Sequence, residues 1–148
     1  MSSGEQSDAD LANRLHSIAI HLLRRVRKED SATGLSPSRL SALSVVGFGG
    51  PLSLGELAAA EQVRAPTMSR IVAALEESGI VERARDPADA RRVLFKATPE
   101  GMRILLEGQR RRTAALERLL LNLTPEESAA LRQTLAGLER LVGGAHSG

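Results

Sequence analysis

Apolar side chains recur along this chain at helical spacing, and the interruptions hold residues that start and stop helices. Leu11, Leu15, Ile18, Leu22 and Val26 mark a first helix from about Asp8 to Lys28. Ala19, Ile20 and Leu23 widen its stripe beyond what one neighbour would cover. The run EDSATGLSPS breaks the pattern. Ser36 then Pro37 reads as an N-cap with proline in the first turn, and Leu40, Leu43 and Val46 face inward on a second helix from Pro37 to about Val46. GFGGP ends it. Ser53 and Glu56 have capping-box spacing, which starts a short third helix over Leu54–Ala60.

The turn EQVR leads into RAPTMSRIVAALEES, Arg64 to Ser78, where Met68, Ile71, Val72 and Leu75 form one apolar stripe. The other side shows Ala65, Pro66, Ser69, Arg70 and Ala73, small groups and one cation, with no acid before Glu76. Acids at Glu76 and Glu77 oppose the helix dipole. They fit a helix whose N-terminal half approaches something anionic. Gly79 suits a left-handed stop. IVERA and VLFKA then read as short strands around the turn-rich RDPADARR, a β-hairpin with a protruding basic tip. Thr98-Pro99-Glu100 starts a long helix to about Asn122, with Met102, Leu105, Leu106, Leu116, Leu119 and Leu120. Thr124 and Glu127 cap a last helix carrying Leu131, Leu135, Leu138 and Val142, ended by Gly143-Gly144. The fold class is mainly α with a small β-hairpin wing, a winged helix-turn-helix flanked by further helices.

Composition narrows the chemistry. Of 148 residues, 42% are hydrophobic, yet Phe48 and Phe95 are the only aromatics, so the core is aliphatic. Net charge is +2 and the pI about 9.9, so the bulk charge does not mark a nucleic-acid binder and local placement has to. The absence of cysteine excludes disulfides, thiolate metal sites and thiol redox sensing. The polar N-terminus is no signal peptide, and no apolar run reaches ~20 residues, so a soluble cytoplasmic protein is expected. His16, His21 and His146 are the only imidazoles, and the first two are five apart, off the spacing that puts both on one helix face. No HExxH or GxSxG element occurs, GFGGP lacks the pattern of a phosphate loop, and Asp86 and Asp89 sit on a loop without a cleft. The chain is read as no enzyme, with no cofactor and no metal.

The remaining chemistry suits a duplex. A helix N-terminus entering the major groove needs small residues and a few donors, which Ala65, Pro66, Thr67, Ser69 and Arg70 provide. Asp89 and Arg91 are two apart at the hairpin tip, so the acid is expected to hold the guanidinium for a narrow minor groove. Arg85 and Arg92 suit phosphates, as do Ser36, Ser38 and Arg39 at the start of the second helix.

These residues carry a resemblance. From Leu52 to Gly101, and most specifically in D-x-R followed by KATPEG over Asp89–Gly101, the chain resembles the MarR-type transcriptional regulators, and the order of helices matches over nearly its whole length. The resemblance implies a homodimer with one winged helix on each half of a pseudo-palindromic operator, acting as a ligand-released repressor. It sorts the chain into a tail at 1–7, an N-terminal dimerisation helix at 8–35, the DNA-binding domain at 36–98, C-terminal dimerisation helices at 99–143 and a tail at 144–148. Exposed Leu-rich stripes on the outer helices fit that assignment. The resemblance also implies a small anionic or aromatic effector, for which Arg14, His16, His21 and Arg39 are candidate partners. One departure is Arg64 at the recognition-helix N-cap, which cannot accept from the orphan N–H groups, leaving them to water or to a phosphate, of which a phosphate beside Arg64 is the preferred expectation. A winged-helix protein-interaction module stays open as the alternative.

Overall fold

A computed structural model describes residues 7–143. The expected tail at 1–7 lies outside them except for Ser7, whose hydroxyl caps the first helix by accepting from Asp10 N. The tail at 144–148, with His146, lies outside them too. The elements are α1 (Asp8–Arg27), a 3-10 turn (Lys28–Thr33), α2 (Pro37–Gly49), α3 (Leu54–Ala60), α4 (Ala65–Glu77), β1 (Val81–Arg85), β2 (Val93–Ala97), α5 (Pro99–Leu120) and α6 (Pro125–Leu141). Two compact units divide the chain at 112/113, inside α5.

The first unit holds one aliphatic core. Leu40, Leu43 and Val46 of α2 meet Leu57 of α3, Met68, Val72 and Leu75 of α4, Ile80, Val81 and Phe95 of the hairpin, and Leu105 of α5. Local rules place the helix starts: Ser36 and Ser53 accept from Arg39 N and Glu56 N, and Glu56 returns the bond to Ser53 N. β1 and β2 pair antiparallel from Val81↔Ala97 to Arg85↔Val93. Leu52 adds a bridge on the far side of β2, exchanging both backbone bonds with Phe95 at 3.0 and 2.8 Å.

Three details depart from the sequence pattern. The segment after α1 is a 3-10 turn closed by Gly34 at φ +73°. α2 does not stop at Val46 but continues to Gly49, ending at Gly50 with φ +81°. Gly47 extends the helix because its missing side chain leaves room for Leu105 and Met102 of α5, so the helix gains packing that outweighs glycine's low propensity. Glu76 also has a local explanation. It accepts from Arg83 Nε at 2.9 Å, and that guanidinium lies over the Phe95 ring, 5.6 Å from its centroid. The acid fastens the end of α4 to the hairpin.

α1 has no buried residue; Leu11 is 58% and Ile18 52% exposed. In the second unit, α6 begins with the Thr124–Glu127 capping box and also has no buried residue. Among the described residues no helix is long and apolar enough to cross a membrane.

Candidate nucleic-acid interface

α4 is anchored through Met68, Val72 and Leu75, each at most 2% exposed, which leaves Ala65, Pro66, Thr67, Ser69 and Arg70 on its open face. Arg64 is the N-cap in extended conformation and makes no side-chain cap bond, so orphan N–H groups in the first turn of α4 face outward. The turn from α3 into α4 is closed by Val63 N donating to Ala58 O at 3.0 Å and passes through Gln62 at φ +54°.

The wing tip is laced by its own backbone. Asp86 N donates to Arg92 O, and Arg92 N donates to Asp89 O. Asp86 Oδ1 accepts from Ala88 N at 2.9 Å, and Asp89 Oδ1 from Arg91 N at 3.0 Å. The expectation that Asp89 grips the Arg91 guanidinium is therefore corrected. Two residues is the span of an Asx turn, so the carboxylate reaches the nearer backbone N–H, and the Arg91 side chain pairs with no carboxylate among the described residues.

Arg92 differs from the other predicted phosphate ligands. Its guanidinium lies between Glu56 of α3 and Asp86 of the wing, at 3.5 Å from Asp86. Those acids hold the Arg92 pKa above the usual guanidinium value, and Glu56 contributes most. The Glu56 carboxyl is held below its ordinary range, first by the Ser53 backbone N–H and then by Arg92. Sequence reading identified Glu56 only as a capping residue. Arg39, Arg64, Arg70, Arg85 and Arg91 are exposed and, among the described residues, pair with no carboxylate, whereas Arg83, Arg92, Lys96 and Arg103 all do. Ser36 is occupied as a cap, with Ser38 Oγ 3.3 Å away.

The effector candidates are less assembled. Arg14, His16 and His21 are all exposed on α1, and Arg39 on α2. The His21 ring nitrogen Nδ1 lies 2.7 Å from Ser17 O. None of them is enclosed within one chain. Among the described residues no group of acids and histidines is placed to hold a metal ion.

Comparison with known proteins identifies the family and the fold. A MarR family model matches residues 33–92. An HTH-type transcriptional regulator of Mycobacterium tuberculosis is 36% identical over 126 residues, covering 85% of this chain and 88% of that protein. Among solved structures, a MarR family protein of Bacillus stearothermophilus superposes with TM-score 0.76 at 26% identity, over 95% of this chain and 99% of that one. A mutant MepR of Staphylococcus aureus bound to an oligodeoxyribonucleotide shares the fold, with TM-score 0.68 at 17% identity, over 89% of this chain and 97% of that one.

Proposed function

The chain belongs to the MarR family of transcriptional regulators, which are not enzymes, and from that premise we propose that it binds an operator in double-stranded DNA as a homodimer. The observation that carries this reading is the sorting of its arginines. Among the described residues, Arg64 and Arg70 on α4, and Arg85 and Arg91 on the wing, are exposed without carboxylate partners, while the neighbouring Arg83, Arg92 and Lys96 pair with carboxylates of the same chain. Unpaired cations retain their full attraction for phosphate, and the small residues around Ser69 let α4 lie deep in a major groove. Arg91, on a tip stiffened by two Asx turns, suits the minor groove. Ser38 and Arg39 flank the start of α2, where donors meet a phosphate. The mutant MepR of similar fold is itself bound to an oligodeoxyribonucleotide, which agrees with DNA as the partner.

A second copy of the chain covers the stripes of α1 and α6, which carry Leu11, Leu15, Ile18, Leu131 and Leu135 at the surface. Two-fold symmetry then calls for half-sites about one helical turn apart. The regulator acts as a repressor released by a small anionic or aromatic effector, for which Arg14, His16, His21 and Arg39 are the basic groups on offer.

Selection from a random duplex pool, followed by titration at several salt concentrations, tests the reading. It expects a pseudo-palindromic consensus and a steep fall of log affinity with log salt. Arg91→Ala reduces that slope by about 0.9 per winged helix. No retained duplex at low salt would overturn DNA binding and leave a protein-interaction module.

A further inference from the structure

Arg92 forms one ion pair across to α3, with Glu56, and a second inside the wing, with Asp86, and both compete with any phosphate for its guanidinium. Glu56 lies 36 positions earlier in the sequence. One oxygen of its carboxylate accepts from Ser53 N at 2.8 Å and fixes the start of α3; the other accepts from Arg92 Nη2. Asp86, whose side chain is 15% exposed, closes the arrangement from the wing side and is itself fixed by Ala88 N. One guanidinium therefore joins two elements whose local geometry is already set by backbone bonds. Because both carboxylates are held beforehand, only the Arg92 side chain has freedom to lose when the pairs form, less than in an ordinary surface ion pair.

We propose that Arg92 is a positioning residue for DNA recognition: it latches the wing to the start of α3 through Glu56 and makes no phosphate contact. The inference rests on the DNA-binding reading above. α3 packs on α4 through Leu57 and Met68 in the shared core, so a wing tied to α3 keeps a set distance from the recognition helix. A duplex presents its two grooves at a fixed separation, and a reader whose two contacts are set in advance loses less freedom on binding.

The test compares Arg92→Ala, Glu56→Gln and the double variant with the wild type, on the selected operator and on random duplex. Glutamine still serves in a capping box, so Glu56→Gln removes the charge and keeps α3. A latch predicts that each single change weakens operator binding by about two- to fivefold, the range of one such ion pair. It also predicts a double variant no weaker than the worse single, a reduced preference for operator over random duplex, and an unchanged salt slope. Two results would overturn it: a slope lowered by about 0.9 per winged helix in Arg92→Ala, or tighter binding by Glu56→Gln as the freed Arg92 reaches phosphate. Hydrogen exchange of the wing backbone over 86–92 judges the latch without DNA. It expects faster exchange in both single variants, and unchanged exchange would refute it. A wild type that binds no duplex, with faster wing exchange in both single variants, would refute the DNA reading and retain the latch.

Discussion

Arg112 reaches back across 82 positions to hold Asp30 with two parallel bonds, Nε to Oδ1 at 2.6 Å and Nη2 to Oδ2 at 2.7 Å. The fork joins the 3-10 turn that follows α1 to α5. It draws the Arg112 pKa above the usual guanidinium value, mainly through the hydrogen bonds to Asp30. The guanidinium is partly exposed, so solvent screening discounts its contribution to about 1 kcal/mol. Arg112→Ala is expected to lower the thermal midpoint by about 3 °C at fixed protomer concentration. Arg112→Lys recovers less than half, because an ammonium cannot make the two-pronged contact. A midpoint equal to wild type in Arg112→Ala would show that the fork contributes nothing.

Gly101 is buried in the first turn of α5, and a Cβ there would strike the Ile80 carbonyl oxygen, with Leu43 Cδ1 at 3.2 Å. That carbonyl also accepts from Thr98 N at 3.0 Å, so the backbone cannot withdraw without losing a bond. Gly101→Ala is expected to cost about 2–3 kcal/mol, read by urea unfolding. At Gly47 the obstruction is the far end of the Leu105 side chain, which can turn aside. Gly47→Ala should cost less than half as much. Equal costs at the two sites would contradict this difference.

Gln62 holds a left-handed φ of +54° without being glycine. Its exposed side chain makes no hydrogen bond among the described residues that would repay the strain. Gln62→Gly is expected to stabilise the chain by about 0.5–1 kcal/mol. Because the backbone path into α4 is unchanged, duplex affinity should stay within about twofold. A destabilised Gln62→Gly would locate an interaction of the side chain in the folded state.

Ile18 stands in the middle of the open stripe on α1. Ile18→Glu puts a charge where a second copy is proposed to pack, and it leaves the core of the winged helix untouched. Sedimentation is expected to shift from two chains to one, and operator affinity to fall more than tenfold as the paired half-sites are lost. A variant that remains dimeric would remove this stripe from the interface.

Glu56 gives the wing latch a pH dependence. Its folded pKa is depressed, so its contribution is fully present above the ordinary carboxyl value of 4.5 and is lost as pH falls through the lower folded value. Carboxyl-carbon NMR is expected to give Glu56 a midpoint below 4.5, with wing chemical shifts following it. In Arg92→Ala the depression should shrink but persist, because the Ser53 N–H bond remains.

What the sequence determined by itself was whatever a few neighbouring residues decide. Ser36-Pro37, Ser53 with Glu56, and Thr124 with Glu127 start helices because a side-chain oxygen lies within reach of an orphan N–H three residues on. The stripe from Met68 to Leu75 marks the buried face of α4, and therefore its open face. Tertiary structure alone decided the rest. α2 passes through Gly47 because Leu105 fills the space beside it, Glu76 serves Arg83, and Arg92 is occupied by Glu56. Asp89 was read as a partner for the wrong group because a carboxylate two residues from an arginine can reach either its side chain or its backbone. Spacing along a chain sets what is near within a turn or two. Which distant charge is neutralised, and which arginine stays free for a phosphate, depends on how those turns pack together.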